Sequence, residues 1–387
     1  MASEAKNLGG TSIRRRASRI GSALSPIGRR LLQRILDLFL PIEDNVALAD
    51  LHDVRSILLV RPNFRLGNAL ITSPLIAALR ERFPGARIDY LGGEGTLAVL
   101  DGLPIDDRMP MSRGFVLRPW RFVALFLELR RRRYDLAIEG AMGSFSGGLY
   151  VWLSGARHRL GVPRRNERFL DVRLPPTPVA HAYDGPVAFA AHLGVTCADR
   201  PAYVVSPDER LRALKLLEGR ALAAPDGHAP PFVAFFVGGH GAKRWPAERW
   251  IDLASRVAAD GVRVALFAGP EEAAGVPALR RALDGRAAVV EPQPLRTFAA
   301  VLGTAALVVT PDSGPMHLAV AAGTPVVAVL ASRGSTFFRP RGPADVALVE
   351  PSVDDVYAAL RTHPLYASLR DGTVPVADGT ATRSAAG

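Results

Sequence analysis

The sequence predicts an α/β fold made of two doubly wound, Rossmann-like domains in tandem, and three observations carry that prediction. The chain is 387 residues long and 48% hydrophobic, enough apolar material for two cores at roughly 100–200 residues per domain. Short apolar runs alternate with longer amphipathic segments, first from Arg55 to Pro163 and again from Phe232 to Leu330. Such alternation marks strands buried on both faces of a parallel sheet, with helices laid over them. Between the two series lie Pro- and Gly-rich segments at 174–186 and 220–231. The expected division is a basic extension over 1–50, domains over 51–195 and 196–365, and a disordered tail over 366–387.

In the first series Ile57–Arg61 is a buried strand and Asn68–Phe83 the helix after it. Pro74 is expected in the early turns of that helix, where a missing N–H costs little. Arg87–Leu91 is the next strand, ending in Gly92 and Gly93. Trp120–Arg133 is a helix, Leu136–Glu139 a strand, and Leu160–Pro163 another strand end. Helices over 186–193 and 207–219 lead to the second series. There the strands are Phe232–Val237, Arg263–Phe267, Ala287–Val290, Leu307–Thr310 and Val326–Leu330. The helices between them are Ala247–Ala259, Pro277–Ala282, Leu295–Gly303 and Gly314–Ala322. Ligands of such sheets bind beyond the carboxyl ends of the strands, and tandem domains place the expected site in the cleft between them.

Charge and cysteine usage exclude several classes. The single cysteine, Cys197, rules out an internal disulfide or a structural zinc cluster and suits a reducing cytoplasm. No run reaches the roughly 18–20 apolar residues that span a bilayer, and no apolar core with a small-residue cleavage site marks a signal peptide. The net charge is +11, but residues 1–34 carry eight basic side chains against one acid, Glu4, so +7 of it sits in a leader. A nucleic-acid binder would spread basic residues over a folded face with aromatics among them, and no such partner is expected. Within the leader, Ile27, Leu31, Ile35, Leu38 and Phe39 share one helical stripe with arginines elsewhere. That helix either packs on the enzyme body or gives residues 13–40 a peripheral contact with an anionic membrane. The Arg130–Arg133 run ends a helix, where the dipole favours cations; the alternative is a receiver for acceptor phosphates.

Four strand–helix junctions carry the chemistry. Val308–Pro325 opens with a buried strand, after which Asp312 can cap a helix whose first turn holds Ser313, Gly314 and Pro315. Free N–H groups and the helix dipole there favour an anion, glycine permits close approach, and His317, one turn in, can add a charge-assisted bond. Phe235–Pro246 opens a strand into Gly238 and Gly239 and then presents Lys243 and Arg244, a composition that suits a diphosphate. Its spacing is not that of a P-loop, and the absence of G-x-G-x-x-G speaks against a nicotinamide enzyme. Leu266–Glu272 places Glu271 and Glu272 beyond another strand end, where a carboxylate can hold ribose hydroxyls. Leu59–Pro74 is the equivalent junction of the first domain. An ordinary capped junction accounts for each of these taken alone.

Together, the segments RPNFRLGNALITSPLIAALRERFPGA, YDLAIEG, RHRLGVP, KRWPAERW, FAGPEE and DSGPMHLAVAAGTPVVAVL resemble, in order and spacing, the family 9 glycosyltransferases, the lipopolysaccharide heptosyltransferases and their relatives. The resemblance covers roughly residues 55–362. It implies a GT-B fold, two Rossmann-like domains facing each other across a cleft, and an inverting transfer with no metal and no cofactor. The implied partners are a nucleotide sugar, typically ADP-heptose, and a lipid A–core or other glycan acceptor, at the inner face of the inner membrane. Carried over, Lys243 contacts the donor phosphates. Gly238, Gly239, Asp312, Ser313, Gly314 and His317 form the donor pocket, and Glu271 or Glu272 holds the ribose. Arg61, Arg65, Asn68 and Glu139 fall on the acceptor side.

One position departs from the pattern. The family usually has Asp where this chain has Asn68, and that Asp is taken as general base. A neutral amide cannot take a proton from the acceptor hydroxyl, and base assistance is worth about 10²–10⁴-fold. Three outcomes are open: another carboxylate serves, with Glu139 the first candidate; Asn68 orients the hydroxyl while proton loss is late and unassisted; or the chain binds donor without turnover, as a scaffold. A transferase using a different nucleotide sugar is a further alternative.

Overall fold

The computed structural model describes residue 34 and residues 39–112, 118–164, 166–220, 222–223 and 230–373. The leader, most of the helix expected over 27–40 and the tail from 374 lie outside the described residues. The chain divides into two compact units, Met1–Val179 with Asp184–Asp199 and Ala180–Tyr183 with Arg200–Gly387.

Each unit is built on a six-stranded sheet. In the first, β1 (Ser56–Arg61), β2 (Arg87–Gly93), β3 (Asp107–Met111), β4 (Leu136–Glu139), β5 (His158–Gly161) and β6 (Val172–Arg173) run in the order β3-β2-β1-β4-β5-β6. In the second, β7 (Val233–Phe236), β8 (Val264–Phe267), β9 (Ala288–Val290), β10 (Leu307–Pro311), β11 (Val326–Leu330) and β12 (Val346–Val349) run in the order β12-β11-β10-β7-β8-β9. Every pairing is parallel. The central strands are apolar because helices cover both faces: Ile57, Leu58, Leu59 and Val60 of β1 are fully buried, as are Leu307, Val308 and Val309 of β10. In both sheets the unit's first strand lies between its second and its fourth. The winding therefore reverses at β1/β4 and at β7/β10, and the loops leaving those strands frame a crevice at each sheet's carboxyl end.

The helix after β1, α1 (Leu66–Arg82), carries Pro74 in its middle rather than its first turns. The ring removes the N–H that would bond the Leu70 carbonyl. Ser73 Oγ donates to that oxygen instead, at 2.6 Å, so the proline is tolerated. Four further helices belong to this unit or open the next: α2 (Pro119–Arg132), α3 (Phe145–Ser154), α4 (Asp184–His192) and α5 (Pro207–Glu218). The second unit adds α6 (Ala247–Ala259), α7 (Val276–Leu283), α8 (Leu295–Leu302), α9 (Gly314–Ala321), α10 (Val353–Thr362) and α11 (Pro364–Arg370).

The expected domain limits shift in three places. Residues 40–46 are stitched to the first unit rather than standing in a separate extension: Val46 N donates to Asp171 O at 2.8 Å, Arg173 N to Asn45 Oδ1 at 2.8 Å, and Glu43 pairs with Arg159. Ala180–Tyr183 packs with the second unit, tied by Ala182 N to Phe337 O at 2.9 Å. The tail expected from 366 begins later, because α11 continues to Arg370 and buries Tyr366 completely.

Candidate active site

In the second unit, the loops after β7 and β10 meet. The chain leaves β7 through Gly238 and Gly239 into a short turn, Gly241–Lys243. Gly241 holds φ +56°, in the left-handed region that glycine adopts without strain. This turn delivers Lys243 Nζ to Asp312 Oδ2 at 2.5 Å. The Asp312 carboxylate is 5% exposed and the Lys243 side chain 38%, so the buried charge is compensated while the ammonium keeps access to water. Asp312 does not cap α9: Ser313 is the N-cap, and no side chain caps that end. Asp312 is committed to Lys243 instead; Pro315 has no N–H and Met316 N donates to Ser313 O at 3.2 Å, so the Ser313 and Gly314 N–H groups are the ones left for a ligand beside the ammonium.

His317 also differs from expectation. It is 4% exposed, and its Nδ1 lies 2.8 Å from Tyr183 Oη. Burial, opposed by the Asp312 charge, pushes its pKa down to about 4. The imidazole is therefore neutral at physiological pH and contributes no charge-assisted bond. Tyr183 and Phe338 line the same cluster, with His317 and Tyr183 edge to face at 5.6 Å and Lys243 5.9 Å from the Phe338 ring centre. Neither aromatic carries a sequence signal: one sits in a proline-rich connection, the other in an Arg- and Pro-rich loop.

Of the two glutamates beyond β8, Glu272 is the one built into the site. Its side chain is 13% exposed and pairs with Arg244 Nη2 at 2.6 Å. Its Oε2 occupies the space that a Cβ on Gly238 or Gly269 would need, at 2.6 and 2.7 Å, which explains why glycine stands at both strand ends. Gly239 lies against the Lys243 and Arg244 backbone. Glu271 points outward, 55% exposed, with His240 at 3.1 Å.

In the first unit, Arg61 ends β1 and Glu139 ends the neighbouring β4, in a register that pairs Val60 with Glu139. Asn68 lies in the first turn of α1, half-buried, and Arg65 is that helix's exposed N-cap. Burial pulls the Arg61 guanidinium below its usual pKa, opposed by nearby Tyr90 and Glu139. Its Nε and the Tyr90 hydroxyl are both buried without a hydrogen-bond partner among the described residues. Glu139 is fully buried and accepts backbone N–H groups from Ala141 at 2.8 Å, Gly143 at 2.7 Å and Ser144 at 3.4 Å. Burial raises its pKa against those bonds and the Arg61 charge. This carboxylate organises the loop after β4. Both of its oxygens are engaged by these backbone N–H groups.

Comparison with known proteins agrees with this layout. The family model of glycosyltransferase family 9 (heptosyltransferase) matches residues 122–354. Lipopolysaccharide heptosyltransferase 2 of Salmonella typhimurium is 27% identical over 309 residues, covering 73% of this chain and 85% of the relative. A glycosyl transferase family 9 structure from Veillonella parvula superposes with a TM-score of 0.70 at 20% identity, over 84% of this chain and 99% of that one. The E. coli heptosyltransferase WaaC with ADP gives a TM-score of 0.61 at 20% identity, over 81% and 99%.

Proposed function

The chain belongs to glycosyltransferase family 9, the heptosyltransferase family, and from that premise we propose that it moves a heptose from ADP-heptose onto a lipopolysaccharide core or related surface glycan, inverting the anomeric centre without a metal ion. It is a glycosyltransferase of the GT-B fold, with two Rossmann-like domains. The observation that carries the finer reading is the contact of Lys243 with Asp312 beside the uncapped start of α9. As the acceptor oxygen bonds to the anomeric carbon, the bond to the diphosphate oxygen breaks and the electron pair leaves with the nucleotide. Fixed positive potential at that oxygen lowers the barrier. The Lys243 ammonium and the N–H groups at the head of α9 supply it, Asp312 holding the lysine in place. Glu272 would face the ribose, with Arg244 orienting it. The choice of ADP-heptose follows the family, and a structural neighbour was solved with ADP.

On the acceptor side, Arg61 and Arg65 offer positive charge and Asn68 an amide that orients the hydroxyl. Proton loss is then late and unassisted, the reading favoured by the enclosure of Glu139.

Thermal shift across ADP-, GDP- and UDP-sugars, followed by nucleotide release with a truncated core acceptor, tests the donor: selective stabilisation by ADP-heptose is expected. The clamp is tested by Lys243→Ala, which should lower turnover at least about tenfold. Because that change strands the Asp312 carboxylate, the neutral pair Lys243→Met with Asp312→Asn provides a folded control with the same loss. Full turnover in either variant removes the clamp, and stabilisation by UDP- or GDP-sugars alone replaces the donor.

A further inference from the structure

The exposed side of α2 carries none of the donor and acceptor residues named above, yet it is the least ordinary surface of the first unit. Of its fourteen residues only Leu129 is buried. Trp120 is 63% exposed, Val123 51% and Leu127 59%. Spaced i, i+3 and i+7, these three share one helix face. The other large exposed apolar side chains among the described residues are Phe39 and Ile42, ahead of the first strand, and the isolated Val204, Leu211, Phe337 and Val349, the last four as on any protein surface.

The roll of the helix is fixed from its other side. Leu129 sits in the core of the first unit with Leu125 packed against it. Arg132 is clamped by Asp89 at 2.6 Å, Asp107 at 2.7 Å and Glu128 at 2.7 Å. The apolar stripe is thus held outward by an ion-pair network rather than being a frayed turn. From Arg118 to Arg133 the sequence holds six arginines against one glutamate. Arg131 and Arg132 are engaged by Glu128. Arg130 donates to the Leu153 carbonyl and stacks on Phe126, with its charge unneutralised. Arg118, Arg121 and Arg133 have no carboxylate partner among the described residues.

We propose that this face of α2 docks the enzyme on an anionic lipid bilayer, with Trp120, Val123 and Leu127 entering the boundary between headgroups and acyl chains while Arg118, Arg121, Arg130 and Arg133 meet lipid phosphates. Charge complementarity selects this occupant. A helix lying in the membrane plane combines an apolar face, an interfacial tryptophan and flanking arginines, and each cation adds attraction only where the surface is negative. A docked protein would need acidic groups matched to four separate arginines, which a fluid anionic surface provides without matching. The surface is distinct from the donor and acceptor residues, so its failure and the failure of the transfer reading are separable.

The test uses the full chain and vesicles of phosphatidylcholine with and without phosphatidylglycerol. Co-sedimentation should require the anionic lipid and fall about tenfold in Trp120→Ser/Val123→Ser/Leu127→Ser. Neutralising Arg118, Arg121 and Arg133 to Gln should have a similar effect. Quenching of tryptophan emission by brominated lipid should occur in the wild type and fall sharply in Trp120→Phe, since Trp245 and Trp250 are buried and Trp152 is half-buried. Turnover on a soluble, delipidated acceptor should be unchanged in all three, which also shows that they fold. Vesicle binding unaffected by the triple serine change overturns the proposal. So does lipid-independent dimerisation that the same change abolishes, since that assigns the face to a second copy. Binding lost only when Arg14, Arg15, Arg16 and Arg19 are changed to Ser assigns it to the leader and overturns it equally.

Discussion

Under the proposed transfer, Asn68 is the residue whose replacement should change the rate most. Its amide lies in the first turn of α1, where the helix dipole favours a carboxylate by a few tenths of a kcal/mol or more. Asn68→Asp is therefore tolerated by the fold, and under the proposed transfer it introduces a base beside the acceptor hydroxyl. If proton loss is unassisted in the native enzyme, this variant turns over at least about tenfold faster at pH 8 and gains a low-pH limb in its rate profile. Steady-state rates from pH 5 to pH 9 decide the matter, and an unchanged rate means that deprotonation is not where the cost lies. His317 makes the opposite kind of prediction, about stability. Its folded pKa of about 4 lies below its unfolded value because burial disfavours the cation. The unfolded chain then binds more protons between those values, so stability is complete above about pH 6.5 and falls as pH drops towards 4. The loss is on the order of 3 kcal/mol at most. His317→Gln keeps a neutral partner for Tyr183 and should flatten the melting-temperature profile across that window.

Among the elements, α1 shows how local chemistry rescues a pattern that propensity disfavours. Ser73→Ala should cost about 1–3 kcal/mol, because it leaves the buried Leu70 carbonyl without the donor that Pro74 also fails to supply. In a Pro74→Ala background the restored N–H takes that role, and the serine change should cost less than about 1 kcal/mol. Denaturant titrations of the four-member cycle measure the difference, and additive costs would show that the two residues act independently. The same elements mark what can be read without a structure. β4, β11 and α6 lie where hydrophobic runs and flanking charges put them, since strands buried on both faces have little freedom to be anything else. β3 was not legible: its sequence, Asp107–Met111, is short, opens with two charged residues and contains Pro110, which an edge strand accommodates and a central one does not. Nor was α3, whose Gly147 and Gly148 argue against a helix. A Cβ at Gly147 would collide with the Glu139 carboxylate, and one at Gly148 would meet Asn166 and Phe169, so packing against β4 overrides propensity. In the site, the glycines and the acid–base residues announce themselves by composition. The partnership of Asp312 with Lys243 rather than with the start of α9 depends on a contact 69 residues apart in sequence, which no local pattern encodes.

At the scale of the whole molecule, both units repeat one winding, and Lys243 and Asp312 meet at the β7/β10 reversal while Arg61 and Glu139 sit at the β1/β4 reversal. The boundary between the units is where sequence order and physical membership part. Tyr183 stands within a stretch of chain that otherwise belongs to the first unit, yet its hydroxyl reaches His317 at 2.8 Å and its ring is 2% exposed. Tyr183→Phe removes one hydroxyl and leaves a buried imidazole nitrogen without that partner, which should cost about 1–3 kcal/mol. In a two-unit chain such a cost need not appear in a single unfolding transition, so amide hydrogen exchange resolved by segment is the right measurement. Protection should fall across β10 and α9 and hold in β1 and α1. Loss confined to β1 and α1 would instead place Tyr183 with the first unit.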